Sequence, residues 1–173
     1  MFLLISGIFI LIYAAIGFYR GMTASVLHLM STVFALWVGL QFYKPLNDYL
    51  RLFIPFPKTN AFDTTYAIQF DQPESHFNAL VSLLLIVFIV KVIVHVVLDT
   101  FAKLIYRHRN SLVLRVVGVG VSVISAGIVL HFIFILMALY PDANIQLALQ
   151  HTPFAQWLIT KLPILSQYTM NLI

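Results

Sequence analysis

Lys91, His95, Asp99 and Lys103 recur at four-residue steps in KVIVHVVLDTFAKLIYRHR (91–109). On a helix all four fall on one stripe. Three kinds of chemistry fit such a set. An ammonium, an imidazole and a carboxylate in a row can relay protons, because imidazole changes charge near neutral pH. Repeated around a ring of protomers, the stripe can line a pore for ions or small solutes. At a membrane surface it is the polar face of a helix leaving the hydrocarbon, with Lys91 reaching water on its flexible stem. The third reading is the expectation, with the pore as rival and the relay behind it. Asp99 precedes Lys103 by one turn, the favourable order for an i, i+4 pair.

His28 and His131 invite a second chemistry, metal binding with His95. Depth argues against it. His28 lies about 8 Å from the near end of its apolar stretch and His131 about 24 Å from the same side, at 1.5 Å per residue. Neither a metal nor a cofactor is expected. The chain has no cysteine, which excludes disulfides and thiol nucleophiles. The acids Asp48, Asp63, Asp71, Glu74, Asp99 and Asp142 all fall in connections or at helix ends, and no serine sits in a nucleophile elbow. No enzymatic activity is expected.

These residues must be positioned by elements suited to lipid. Of the 173 residues, 61% are hydrophobic and 9% charged, against about 25% charged in an average soluble domain. So small a soluble protein could not hide that much apolar surface. About 20 apolar residues cross a hydrocarbon core of about 30 Å. The sequence therefore predicts an all-α polytopic membrane domain with four spans, at about 2–19, 23–43, 77–98 and 112–140. The third is expected to continue as an amphipathic helix to about 107. Only Arg20, Gly21 and Met22 separate the first two, so they must form a tight hairpin. Outside the spans lie a loop at 44–76 and an interfacial helix at about 152–171, with Thr152 as N-cap and Pro153 at the first helical position. The segment PLNDYLRLF places Leu46, Tyr49, Leu50 and Phe53 on one apolar face of a further short helix.

Basic residues set orientation. Arg20 and the cluster Lys103, Arg107, Arg109 and Arg115 mark the first and third connections as cytoplasmic, so both termini are predicted outside. The net charge of +4 comes with no broad basic face for nucleic acid. Lys103, Arg107 and Arg109 suit anionic lipid instead. Ser25, His28 and Thr32 in the second span, and Gly118, Ser122 and Ala126 in the fourth, form small or polar faces for close helix packing. They serve packing within the chain or self-association.

The stretch GFYRGMTASVLHLMSTVFALWVGLQFY (17–43) resembles the opening of the colicin V production protein family, bacterial inner-membrane proteins with four predicted spans. Gly17, Arg20 and Gly21 match its G-x-x-[RK]-G. Arg115 and Gly118 match its R-x-x-G-x-x-x-G, with Ser122 in place of the second glycine. TPFAQWLITKLP resembles the family's tail. The resemblance implies a multi-pass protein of the bacterial cytoplasmic membrane supporting toxin production or export and envelope homeostasis. It leaves open a homo-oligomeric channel, of which a tension-gated form is one kind, a small-solute transporter, or a non-conducting scaffold with a secretion-machinery partner.

Overall fold

The computed structural model describes residues 2–53, 56, 65–101 and 111–172. Among the described residues six helices follow one another: α1 Phe2–Leu50, α2 Pro73–Thr100, α3 Leu112–Leu139, α4 Ala143–Gln150, α5 Pro153–Lys161 and α6 Leu165–Met170. The first three are long and apolar enough to cross a membrane. Leu, Ile, Val, Ala and Phe dominate them, and intrahelical bonds satisfy their backbones without water. Their hydroxyls also turn inward: Ser6, Ser82 and Ser125 donate to the carbonyls of Phe2, Asn78 and Val121, four residues back. Leu3, Leu4, Leu11, Phe88, Val96, Leu112 and Val113 are exposed. Such faces suit lipid rather than water.

At 1.5 Å per residue α1 would be about 74 Å long if straight. It is not straight. Gly21 sits inside it at φ 74°, ψ 180°, a conformation that glycine alone adopts without strain. A Cβ built at Gly17 would stand 2.7 Å from the Ser122 Cβ, and the Ser122 hydroxyl donates to Ser25 Oγ at 3.2 Å. In a straight helix, residues 17 and 25 would lie about 12 Å apart along the axis. Both meet Ser122 because the chain turns back at Gly21.

The helix then runs on through Pro45 to Leu50. Span two was expected to end at Tyr43, with a separate helix after it. Pro45 removes its own N–H and its ring crowds the Gln41 carbonyl one turn back, yet the helix continues past it. Tyr49 and Phe53 are exposed, so the short apolar face predicted for 46–53 is not packed as a unit. α2 begins at Pro73, earlier than the expected 77, with Glu74 in its first turn. It is helical to Thr100, and the expected continuation to about 107 lies outside the described residues.

The chain divides into two compact units. The first comprises Met1–Ser6, Phe42–Leu83 and Ile128–Ile173; the second comprises Gly7–Gln41 and Leu84–Gly127. In the first, Leu80, Leu83, Ile135, Leu139, Leu149, Ala155, Leu158 and Ile159 form a buried core. One interfacial helix was expected over 152–171. The tail instead breaks into α5 and α6, and buries Ala155, Leu158, Ile159 and Thr169. The break is a γ-turn: Leu165 N donates to Pro163 O at 2.8 Å and Ile164 lies at φ 69°, ψ −58°. That geometry is strained for any L-residue, most of all a β-branched one. Ile164→Gly should therefore raise the unfolding free energy by about 1 kcal/mol, the strain relieved exceeding the added chain entropy. Thermal unfolding in detergent reads this out, and an unchanged or lower midpoint would refute it.

Candidate functional site

In the second unit, the Lys91 ammonium donates to His28 O at 2.7 Å, Ser31 Oγ at 2.5 Å and Thr32 Oγ1 at 2.6 Å. An ammonium has three N–H donors and no acceptor, and all three are engaged. The acceptors are aimed by their own bonds. The Ser31 and Thr32 hydroxyls both donate to His28 O, at 2.8 and 2.9 Å, so only their oxygen lone pairs face Lys91. A neutral amine would present a lone pair to groups with no proton left to give. The donor count fits the cation.

This differs from the expectation that Lys91 snorkels to the interface. One turn of α1 supplies three oxygens at the level of its ammonium. Lys91 thus joins α2 to α1, and His28 and Thr32, expected as plain packing residues, are two members of its cage. Ser31, the third member, is buried and was not singled out from the sequence. A clue was present: Ser31 and Thr32 sit together three and four residues beyond His28, where both can bond its carbonyl.

Beside the cage, the rings of His28 and His95 lie 5.2 Å apart, tilted by 50°. His95 Nε2 is 3.4 Å from Asp99 Oδ2, and their side chains are 43% and 59% exposed. Asp99 was expected to pair with Lys103, which lies outside the described residues with Arg107 and Arg109. Of the stripe, Lys91 is therefore held internally while His95 and Asp99 form an open pair.

The glycines mark where α1 meets α3. A Cβ at Gly17 would come within 2.5 Å of Gly118 O and of Ser122 Oγ. One at Gly118 would come within 2.7 Å of Gly17 O and of the Gly21 carbonyl carbon. Gly17, Gly21, Gly118 and Ser122 thus form one crossing in which neither Gly17 nor Gly118 leaves room for a Cβ. Ser25 extends it through the Ser122 hydroxyl, and Ala126 is fully buried one turn beyond. Arg115 Cζ stands 5.7 Å from the Phe18 ring centroid, within range of a cation–π contact. Arg20 is half-buried next to the break.

The first unit holds a polar network that sequence reasoning missed. Gln146 is buried, donates to the carbonyls of Met137, Ala138 and Tyr140, and accepts from Ala67 N at 2.8 Å. It satisfies carbonyls that the end of α3 leaves without intrahelical partners. Its position follows from α4, whose N-cap Asp142 accepts from Asn144 N and Ile145 N. Two buried histidines fix the tail. His131 Nδ1 donates to Leu158 O at 2.9 Å and its Nε2 lies 3.0 Å from Thr169 Oγ1, while His76 Nε2 donates to Thr169 O at 2.6 Å. Tyr43 adds a bond from its hydroxyl to Leu172 O. Thr152 does not cap α5 with its side chain; its hydroxyl donates to Ala148 O instead. Gln146→Leu should cost about 2 kcal/mol, because several buried partners lose their bonds together. Faster proteolysis of the tail should accompany it, and an unchanged cleavage rate would count against the network's holding role.

The colicin V production protein family model matches residues 3–163. No curated protein and no solved structure matches the chain.

Proposed function

We propose a function from the premise that this chain belongs to the colicin V production protein family. It supports toxin or peptide production or export, and upkeep of the envelope, as a multi-pass protein of the bacterial cytoplasmic membrane without enzymatic turnover. Its molecular role is that of a non-conducting scaffold for a secretion partner. One observation carries this reading: every N–H of the Lys91 ammonium is bonded within the chain. The charge best placed to attract a permeating ion is committed to joining two helices.

The break at Gly21 supports four spans rather than three. It divides α1 into arms of about 28 and 43 Å, each able to cross a core of about 30 Å. With α2 and α3 the spans number four. Both termini then lie outside, and Arg20 and the cluster Lys103, Arg107, Arg109 and Arg115 face the cytoplasm. Lys103, Arg107 and Arg109 meet anionic lipid there.

The second reading is a homo-oligomeric channel, and the half-exposed His95–Asp99 pair is what favours it. Purified protein in planar bilayers, with and without applied tension, separates the two. The scaffold predicts no unitary conductance and one stoichiometric partner on purification from toxin-producing cells. Reproducible conductance steps altered by Asp99→Asn would replace the scaffold with the channel.

A further inference from the structure

A cleft of about 420 Å³ opens in the first unit. Gln69, Asp71 and Gln72 line it from the segment before α2, Met170 and Asn171 from the end of α6, and the buried His76 from within α2. The volume lies in the range of small-molecule sites, about 300–1,000 Å³. We propose that this cleft binds a primary ammonium group on a short apolar stem. The proposal is independent of any role in export.

The donor and acceptor inventory sets the ligand class. Among the described lining residues, Asp71 carries the one full charge. Gln69, Gln72 and Asn171 each offer a carboxamide oxygen. His76 commits Nε2–H to Thr169 O, so in its neutral form Nδ1 is the ring's acceptor. A carboxylate, an imidazole nitrogen and carboxamides that can turn either oxygen or NH2 inward accommodate a group that brings three N–H donors and one positive charge, and the full charge of Asp71 sets the sign. Phe70, whose ring lies 5.2 Å from that of His76, also lines the cleft. Its face and the Met170 thioether suit the apolar stem and the cation.

The adjacent N-terminus of α2 would by itself favour an anion, with a partial charge of about +0.5. Asp71 stands two residues before Pro73 with a full negative charge, which outweighs that partial one. The balance at the cleft is negative, so the cation is favoured. A free diamine and the amino end of a peptide share this chemistry.

The test uses the full chain in nanodiscs, with calorimetric titration of cadaverine, of a short peptide carrying a free amino terminus and lysine, and of glutarate as an anion of similar length. Saturable binding of either amine probe but not of glutarate is expected. Binding of cadaverine alone assigns a free amine, and binding of the peptide alone assigns a peptide amine. Asp71→Asn should weaken binding about fivefold, as for a partly solvated charge pair, while Asp48→Asn, exposed elsewhere in the same unit, leaves it unchanged. Gln72→Glu, which adds a carboxylate, should tighten it about threefold, a gain that misfolding does not produce. Absence of saturable amine binding, equal binding of glutarate, or unaltered affinity in both Asp71→Asn and Gln72→Glu overturns the proposal.

Discussion

Ser31→Ala combined with Thr32→Val should destabilise the protein by about 3 kcal/mol, whereas Lys91→Met alone should cost less than about 1 kcal/mol. The asymmetry follows from which group each change leaves behind. Removing both hydroxyls strips two of three acceptors from an ammonium set between helices, and a hydrogen bond to a charged group is worth about 1.5–3 kcal/mol. Lys91 is only partly buried, so the lower end of that range applies. Removing the charge leaves no orphan. The Ser31 and Thr32 hydroxyls still donate to His28 O, and methionine refills the space with an apolar chain of similar length. Replacing a charge by a hydrophobic residue is often near neutral, while removing its partners is not. Lys91→Met placed on the Ser31→Ala, Thr32→Val background should therefore restore most of the lost stability. Denaturant unfolding in mixed micelles, run as a double-mutant cycle, measures all three. Additive losses in the triple variant would mean that Lys91 is not the group the hydroxyls serve.

This asymmetry also bears on function. If Lys91 serves only to pin α2 to α1, Lys91→Met should retain the proposed function wherever the protein remains folded. A variant that folds normally and loses activity would shift weight to the channel reading.

The long helices were legible because twenty apolar residues in a row have few alternatives, and the chain reversal was legible because Arg20-Gly21-Met22 leaves no room for a loop. A separate helix after Tyr43 was expected, yet α1 carries Pro45 and continues to Leu50. The Lys91 cage was not legible. Its partners are about 60 positions away, and periodicity on α2 shows only what shares a stripe with Lys91, not what faces it on α1. The start of the tail was legible, because Thr152-Pro153 does begin α5; the helix before it, which Asp142 caps, was not singled out. Whether such short helices lie on a membrane or dock on their own chain depends on buried groups such as His131, Gln146 and Thr169, whose partners come from distant sequence. The glycines fared better: resemblance singled out Gly17, Gly21 and Gly118, and one helix crossing accounts for all three.

That crossing makes the sharpest contrast among single substitutions. Gly118→Ala should cost about 3 kcal/mol, at the upper end of overpacking penalties, while Gly120→Ala should be neutral or slightly stabilising. The same atom is added to the same helix in both. At Gly120 nothing lies within 4 Å of the new Cβ, whereas at Gly118 it meets Gly17 O at 2.7 Å and the Gly21 carbonyl carbon and oxygen at 2.7 and 2.9 Å. All three are backbone atoms, so α1 must retreat rather than a rotamer turn. Gly21 has little freedom to yield, because its φ of 74° is what reverses the chain. Gly17→Ala should be partly rescued by Ser122→Gly, since two of its three close neighbours belong to the Ser122 side chain. Gly118→Ala should not be, because Ser122 is not among its close neighbours. Unfolding midpoints of the five variants in one detergent decide the matter. Equal stability of Gly118→Ala and Gly120→Ala would mean that the two helices do not approach this closely. Rescue of Gly118→Ala by Ser122→Gly would mean that a side chain, not the turn at Gly21, sets their separation.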